Sequence, residues 1–214
     1  MIGSMASASN PYDPASWIIK ADATLMGINP AVSRTLELPR NLNLAELHEL
    51  LQAAFDWEGT HLHQFEIGGL TYGAPEFDEG DESERKTFEA TDVRLSDFSF
   101  RHDQPIEIMY EYDFGDSWRH RICLTLGPLE DGVQYPRCTS GTRSAPPEDA
   151  GGPYSYDDLV AAWRDPAHEE HVATRNWTGH RFDPERFDLT ATNKAIASAM
   201  RQSKGTYRHR RLKR

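Results

Sequence analysis

The chain has little of what extracellular and membrane proteins require. It contains only two cysteines in 214 residues, Cys123 and Cys138, and they lack the C-x-x-C spacing of a redox or zinc site. No run approaches the roughly 18 apolar residues that cross a bilayer, and no charged and then apolar leader precedes a cleavage site. We therefore expect a cytoplasmic protein with no disulfide scaffold and no membrane partner.

The signatures of several large enzyme classes are also missing. The sequence has no G-x-S-x-G elbow, no Walker loop and no G-x-G-x-x-G, so hydrolases with a nucleophile elbow, nucleoside triphosphatases and dinucleotide enzymes have no support. What is present is a globular composition, with 38% hydrophobic and 10% aromatic residues. At this length the chain is expected to form one domain with its own core.

Charge is distributed unevenly along the chain. The last fourteen residues hold seven Lys or Arg and no acid, which leaves 16 basic against 34 acidic residues in the first two hundred. An acidic body repels phosphate backbones, so nucleic acid is expected to bind only through this tail. A disordered, solvated tail is the alternative. The candidate nucleic-acid contacts are Arg208, Arg210, Arg211, Lys213 and Arg214.

Alternation and helical spacing predict the first half of the body. Residues 1–16 are expected to be a flexible leader. Residues 17–25 and 32–38 alternate apolar and polar side chains, which predicts two strands, and residues 61–72 predict two more around Gly68-Gly69. Between them, leucines at helical spacing predict an amphipathic helix that begins with a capping box of Asn43 and Glu46.

The second half is predicted to mix loops and helices. Residues 76–92 contain eight acids and predict an exposed loop, and the Pro-rich and Gly-rich segment 135–155 predicts irregular backbone. A helix is expected from Ser155 to the Asp165-Pro166 boundary, a helical or mixed segment at residues 168–177, and a last helix from Leu189 to Met200. No internal repeat is visible.

Residues 105–127 predict a hairpin with a defined register. Placing Phe114 opposite Trp118 pairs the aromatic and aliphatic residues on one face. The same register sets Asp113 against Arg119 and Glu111 against Arg121 on the other face. Sliding the strands by one residue destroys both patterns, so the sequence itself specifies which side chains share a face.

Five motifs carry a family resemblance over about residues 17–200. In order they are HLHQF at 61–65, YEYDFGDSWRH at 110–120, YPRCTSG at 135–141, PPEDAGG at 146–152 and FDPERFD at 182–188. This order resembles the plasmid pRiA4b ORF-3-like family. The resemblance implies an α+β fold, in which a mostly antiparallel sheet is packed by helices, and a plasmid or insertion-element setting. It implies no established reaction.

The same motifs supply a candidate metal site. The two histidines of HLHQF are expected to share one strand face, and the YDFGDSWRH turn supplies carboxylates and a third imidazole. The residues that would bind a divalent metal are His61, His63, Asp113, Asp116 and His120. The alternative is a structural polar cluster, because Asp in a Gly turn commonly caps its own backbone and a histidine on an apolar face commonly holds a turn.

A binding pocket is the third interpretation of these motifs. The aromatic residues of the hairpin and the PPED segment would line it, and the residues concerned are Tyr112, Trp118, Pro147, Glu148 and Asp149. Its ligand would be a protein, a peptide or a small molecule.

Three functional hypotheses follow. The first is a non-enzymatic accessory or binding protein of plasmid or mobile-element origin that uses this pocket. The second is a metal-dependent hydrolase or nuclease, which requires at least three of the five candidate ligands to point at one spot. The third is a DNA-associated regulator that acts through residues 201–214 and binds with a steep salt dependence.

Overall fold

A single eight-stranded sheet organises the protein, in a computed structural model that describes residues 16–74, 86–100 and 104–211. The strand order is β5-β4-β3-β6-β7-β1-β2-β8, and only the β4–β5 pair is parallel. The strands are β1 (Trp17–Leu25), β2 (Val32–Leu38), β3 (His63–Ile67), β4 (Leu70–Gly73), β5 (Thr87–Glu89), β6 (Ile106–Tyr112), β7 (Trp118–Pro128) and β8 (Arg137–Thr142).

In the described part of the chain, four α-helices complete the α+β fold. They are α1 (Leu44–Phe55), α2 (Gly152–Arg164), α3 (His171–Thr178) and α4 (Leu189–Arg211). Short 3₁₀ turns at Ala90–Asp92 and Leu95–Asp97 follow β5. Helix α1 contacts α4, and α4 also contacts β8. Within the described residues, no helix is both long enough and apolar enough to span a membrane.

The capping box of α1 is confirmed. Oδ1 of Asn43 accepts a hydrogen bond from the Glu46 amide at 2.7 Å, and Oε2 of Glu46 accepts one from the Asn43 amide at 3.0 Å. These two bonds satisfy amides that the first helical turn leaves without partners. The helix buries its leucine face, including Leu47 and Leu50, in the same core as the inward residues of β1 and β7.

The predicted β6–β7 register is wrong by two residues. Tyr112 pairs with Trp118 and Glu111 with Arg119, so Asp113 has no cross-strand partner in Arg119. The connecting turn takes residues 113–117, because Asp113 adopts a left-handed backbone (φ 57°) and its carbonyl accepts the Ser117 amide at 2.6 Å. A shift of two preserves the face of every side chain, which is why the predicted core face is right.

Three other elements differ from the sequence expectation. Strand β8 lies within the segment 135–155, where irregular backbone was predicted, because it pairs antiparallel with β2 at the sheet edge. Helix α2 begins at Gly152 rather than Ser155, since Pro153 occupies its first turn, where a missing amide hydrogen costs nothing. Helix α4 continues to Arg211 rather than ending at Met200, so most of the basic segment has a helical backbone.

Some predictions fall on residues outside this description. They are the leader at residues 1–15, residues 76–85 of the acidic segment, and Lys213 and Arg214 of the tail. The part of the acidic segment that is described forms β5 and the 3₁₀ turn Ala90–Asp92.

Candidate functional site

Two of the family motifs meet where the loop 143–151, here called the PPED loop, packs on the turn 113–117. Oδ2 of Asp116 accepts the Gly151 amide at 2.9 Å. Gly152 lies so close that an added Cβ would be 2.6 Å from the Asp116 carbonyl oxygen, and its φ is +81°. Only glycine tolerates both conditions. Asp116 is thus engaged in holding the PPED loop in place.

The other end of the PPED loop is tied to the segment after α1. Oε1 of Glu148 accepts the Glu58 amide at 2.7 Å and the Tyr112 hydroxyl at 2.9 Å. Nε1 of Trp57 donates to the Pro146 carbonyl at 2.8 Å. Together with the Asp116–Gly151 bond, these bonds form a clamp that fixes the loop against the core.

Tyr112 and Trp118 do not line a pocket. Their exposed fractions are 0% and 1%, so both rings belong to the core. Burial raises the pKa of Tyr112, and its hydrogen bond to Glu148 raises it further. Of the predicted pocket residues, Pro147, Glu148 and Asp149 lie at a cleft surface, and Glu148 is bonded to the Tyr112 hydroxyl.

Three titratable side chains from different motifs converge beside this clamp. Nε2 of His61 lies 3.1 Å from Oδ1 of Asp149 and 3.7 Å from Oδ2 of Asp113. One ligand atom from each residue fits within 4.8 Å of the other two. The side-chain exposures are 34% for His61, 12% for Asp113 and 74% for Asp149, so the group is open on one side. We call these three residues the rim triad.

The other predicted histidines, His63 and His120, lie elsewhere and both pack near the buried Tyr110 ring, at 6.1 and 5.4 Å between centroids. With His48, which also lies beside Tyr110, they are here called the imidazole cluster, in which Tyr110 links His120 to the other two rings. The His48 and His63 rings stack at 3.5 Å between centroids, and His48 Nδ1 is 2.8 Å from the Tyr110 hydroxyl. His120 is fully buried and packs edge-on against Phe55 and Trp57. Burial lowers the pKa of His63 to about 4 and that of His120 to about 3.

The structure therefore divides the five predicted metal ligands. His61 and Asp113 come together, Asp116 holds the PPED loop, and His63 and His120 lie in the imidazole cluster. His61 and His63 do not share a strand face, because β3 begins only at His63. The third member of the rim triad, Asp149, was predicted as a pocket residue. The sequence feature that could have indicated this residue as a metal ligand is its position in the PPED motif.

A cleft of about 890 Å³ adjoins the rim triad and shares Asp149 with it. One wall combines the end of α1 with the PPED loop, and the other is the connection between α3 and α4. The first wall carries the carboxylates of Asp56, Glu58, Glu148 and Asp149. The second presents the aromatic rings of Trp177, Phe182 and Phe187.

Arg34 lies in the lining of this cleft and was not predicted as a site residue. It is 4% exposed, and its guanidinium donates to the carbonyls of Ala54, Ser33 and Thr142 at 2.7–2.9 Å. The same group lies 4.5 Å from the Phe187 ring centroid. Burial lowers the pKa of Arg34 to about 10, so the group remains cationic at neutral pH. The sequence signal was a charged residue on the inward face of β2.

Comparison with known proteins agrees with the motifs. The family model described as plasmid pRiA4b ORF-3-like protein matches residues 18–191. An uncharacterized protein, y4hQ, from Sinorhizobium fredii is 32% identical over 183 residues, which are 84% of this chain and 90% of that protein. The crystal structure of MM3350 from Methanosarcina mazei, a protein of unknown function, is 35% identical with a TM-score of 0.72, and the match covers 82% of this chain and 96% of that one. The chain belongs to the plasmid pRiA4b ORF-3-like family.

Proposed function

We propose that this protein is a non-enzymatic accessory protein of a plasmid or mobile-element gene set, and that it binds a basic peptide segment of a partner protein in the cleft. The observation that carries the proposal is the cleft itself. Its volume of about 890 Å³ lies within the range of roughly 300–1,000 Å³ that is usual for ligand pockets.

The cleft is held open by bonds that need no ligand. The PPED loop is fixed by Asp116, Glu148 and Trp57, and Arg34 joins the end of α1 to β2 and β8 from within. A binding surface held in this way loses little conformational entropy when a ligand arrives. This rigidity supports recognition as the role of the cleft.

Charge favours a cationic occupant. The lining contains five carboxylates and three guanidinium groups, so acidic side chains are in excess by two. Arg34 is bonded to backbone carbonyls, and Arg186 is paired with Asp188 at 3.0 Å. Helix α1 ends in the acidic wall, so the negative end of its dipole adds to the carboxylates there. Helix α4 begins at the opposite wall, where Asp188 accepts the Ala191 amide at 3.0 Å and so offsets the positive end of that helix.

Aromatic exposure favours the same occupant. Trp177 is 53% exposed at the mouth of the cleft, although a large aromatic ring is normally covered. A Lys or Arg side chain of a bound peptide gains a cation–π contact on such a ring. The hydroxyl of Ser144, by contrast, is hydrogen-bonded to the carbonyls of Asp183 and Arg186, which supports a structural use for it rather than a nucleophilic one.

Selection from a random peptide library displayed on phage tests the proposal. We expect enrichment of peptides with two or more Lys or Arg, and NMR shift changes confined to the cleft when a selected peptide is added. A double Asp56→Asn, Glu58→Gln variant should bind such peptides about 10-fold more weakly, because the acidic wall of the cleft loses two carboxylate charges. Glu107→Gln, an exposed acid on β6 outside the lining, is the matched control. Absence of enrichment, or equal binding by the double variant, contradicts the proposal.

We also propose the cytoplasm as the compartment. Cys123 and Cys138 are both free thiols, and Cys138 is buried. Unpaired cysteines are typical of a reducing environment.

A further inference from the structure

The rim triad draws one side chain from each of three separate motifs. His61 belongs to HLHQF, Asp113 to YDFGDSWRH and Asp149 to PPEDAGG, and the first and last are 88 residues apart in sequence. The clamp described above accounts for Asp116, Glu148, Gly151 and Gly152 of the same motifs as loop-holding residues. His61 and the side chain of Asp149 take no part in those bonds, and form their own hydrogen bond of 3.1 Å between Nε2 and Oδ1 at the exposed edge of the loop.

The ligand atoms of the rim triad are well spaced, and an ion that binds here replaces the hydrogen bond between Nε2 of His61 and Oδ1 of Asp149. Oδ1 of Asp113 accepts the Gly115 amide at 2.9 Å, which leaves Oδ2 directed towards His61 on a residue that is only 8% exposed. Metal bonds of about 2.0–2.2 Å at tetrahedral or octahedral angles separate neighbouring ligand atoms by about 3.0–3.5 Å. The distances of 3.1 and 3.7 Å from Nε2 of His61 are close to that requirement.

The ligands are also held in place before any ion binds. Asp113 and Asp149 each occupy a left-handed backbone position, with φ of 57°, at the two surfaces that the Asp116–Gly151 bond joins. The His61 ring packs edge-on against Tyr112, with 5.8 Å between centroids. Sites built on fixed elements keep their geometry better than sites on free loops.

We propose that His61, Asp113 and Asp149 bind one divalent transition-metal ion through an imidazole nitrogen and two carboxylate oxygens. Imidazole suits Zn²⁺ and carboxylate suits Mn²⁺, so this mixed set selects ions of that class over Mg²⁺ and Ca²⁺, which take oxygen ligands almost exclusively. The 74% exposure of Asp149 leaves coordination positions on the solvent side for water or for an exogenous ligand. This site does not depend on the peptide proposal.

Isothermal titration calorimetry of the untagged full chain tests the site with Zn²⁺, Mn²⁺ and Mg²⁺ in separate titrations. We expect one site for Zn²⁺ and Mn²⁺ and much weaker binding of Mg²⁺. His61→Ala and Asp149→Asn should each weaken binding at least about 100-fold, because even changes to groups behind the ligands cost about 10–100-fold. His180→Ala and Asp56→Asn, exposed cleft residues outside the triad, should bind like the wild type.

Either of two results overturns the inference. One is the absence of binding by the wild type up to about 1 mM metal, an affinity weaker than about −4 kcal/mol. The other is equal binding by His61→Ala and the wild type. Asp149 is exposed enough for its Asn variant to fold, and circular dichroism confirms the fold of each variant. Peptide binding measured in EDTA keeps a failure of this site distinct from a failure of the cleft proposal.

Discussion

His61 and His63 lie two residues apart and meet opposite environments. His63 stacks on His48 among buried rings, where burial lowers its pKa to about 4. His61 is about one-third exposed between two carboxylates. A neutral imidazole packed among rings is a component of the core, whereas an imidazole beside carboxylates at an open surface has the surroundings of a ligand for a cation. Spacing in the sequence does not distinguish these two roles, but the surroundings do.

The rim triad depends on the docking of the PPED loop, and the imidazole cluster does not. Gly152→Ala places a methyl group against the Asp116 carbonyl at a positive φ. Combining the cost of a left-handed backbone with that of overpacking, we expect a loss of about 2–5 kcal/mol in the free energy of unfolding. Urea unfolding measures it. Gly132→Ala has a similar φ of +78° and open space around the Cβ, and should cost only about 1–2 kcal/mol. Equal costs would show that the loop is not clamped.

Truncating one histidine in the imidazole cluster and one in the rim triad measures how much each region contributes to stability. His120→Ala leaves a cavity beside Phe55 and Trp57 in the core and should cost about 2–4 kcal/mol. His61→Ala removes a ring that is about one-third exposed and should cost less than about 1 kcal/mol. Thermal unfolding of both variants measures the difference. Similar losses would mean that the rim triad is itself a structural element of the core.

The imidazole cluster should make stability depend on pH. The folded-state pKa of His63 is about 4, below the unfolded value near 6.5, so the unfolded state gains a proton first as the pH falls. The stabilisation that comes from keeping His63 neutral in the fold is fully present above about pH 6.5, and it is lost as the pH falls from there to about pH 4. For His63 alone the loss between pH 7 and pH 5 is about 2 kcal/mol. His63→Gln should reduce the loss by that amount in urea unfolding at the two pH values. A pH slope unchanged in that variant contradicts the assignment.

The basic tail lies outside both regions, so its removal should have the smallest effect. Deleting residues 208–214 should change the free energy of unfolding by less than about 0.5 kcal/mol and leave metal affinity unchanged. Binding of duplex DNA, measured at several salt concentrations, tests the tail separately. A steep salt dependence that disappears with the deletion would support the DNA-associated role. A change in metal affinity would instead connect the tail to the rim triad.

The sequence predicted local elements well because their determinants are local. The alternation of Trp17–Leu25 and Val32–Leu38 and the capping box at Asn43 are complete within short segments, and the structure confirms them. The β6–β7 register was missed because a turn residue, Asp113, adopts a left-handed backbone that alternation does not reveal. Strand β8 was missed because its partner, β2, is about a hundred residues away in sequence.

The candidate site was predicted only in part for a similar reason. His61 and Asp113 were recognised by residue type, but their grouping with Asp149 arises from a loop that crosses over the turn. Tyr112 is covered by Glu148 of the same loop and by Trp57, and Trp118 by Trp57 and by Tyr156 of α2. Arg34 was visible as a charge on an inward strand face, but its position in the cleft lining depends on the α3–α4 connection.

Anomalous diffraction from crystals grown with Zn²⁺ or Mn²⁺ tests the contrast between the two regions most directly. The measurement locates the ion independently of any variant. The account predicts one anomalous peak within about 2.5 Å of Nε2 of His61 and of a carboxylate oxygen from Asp113 and from Asp149. A peak at the imidazole cluster of His48, His63 and His120, or no peak at the rim triad, would contradict it.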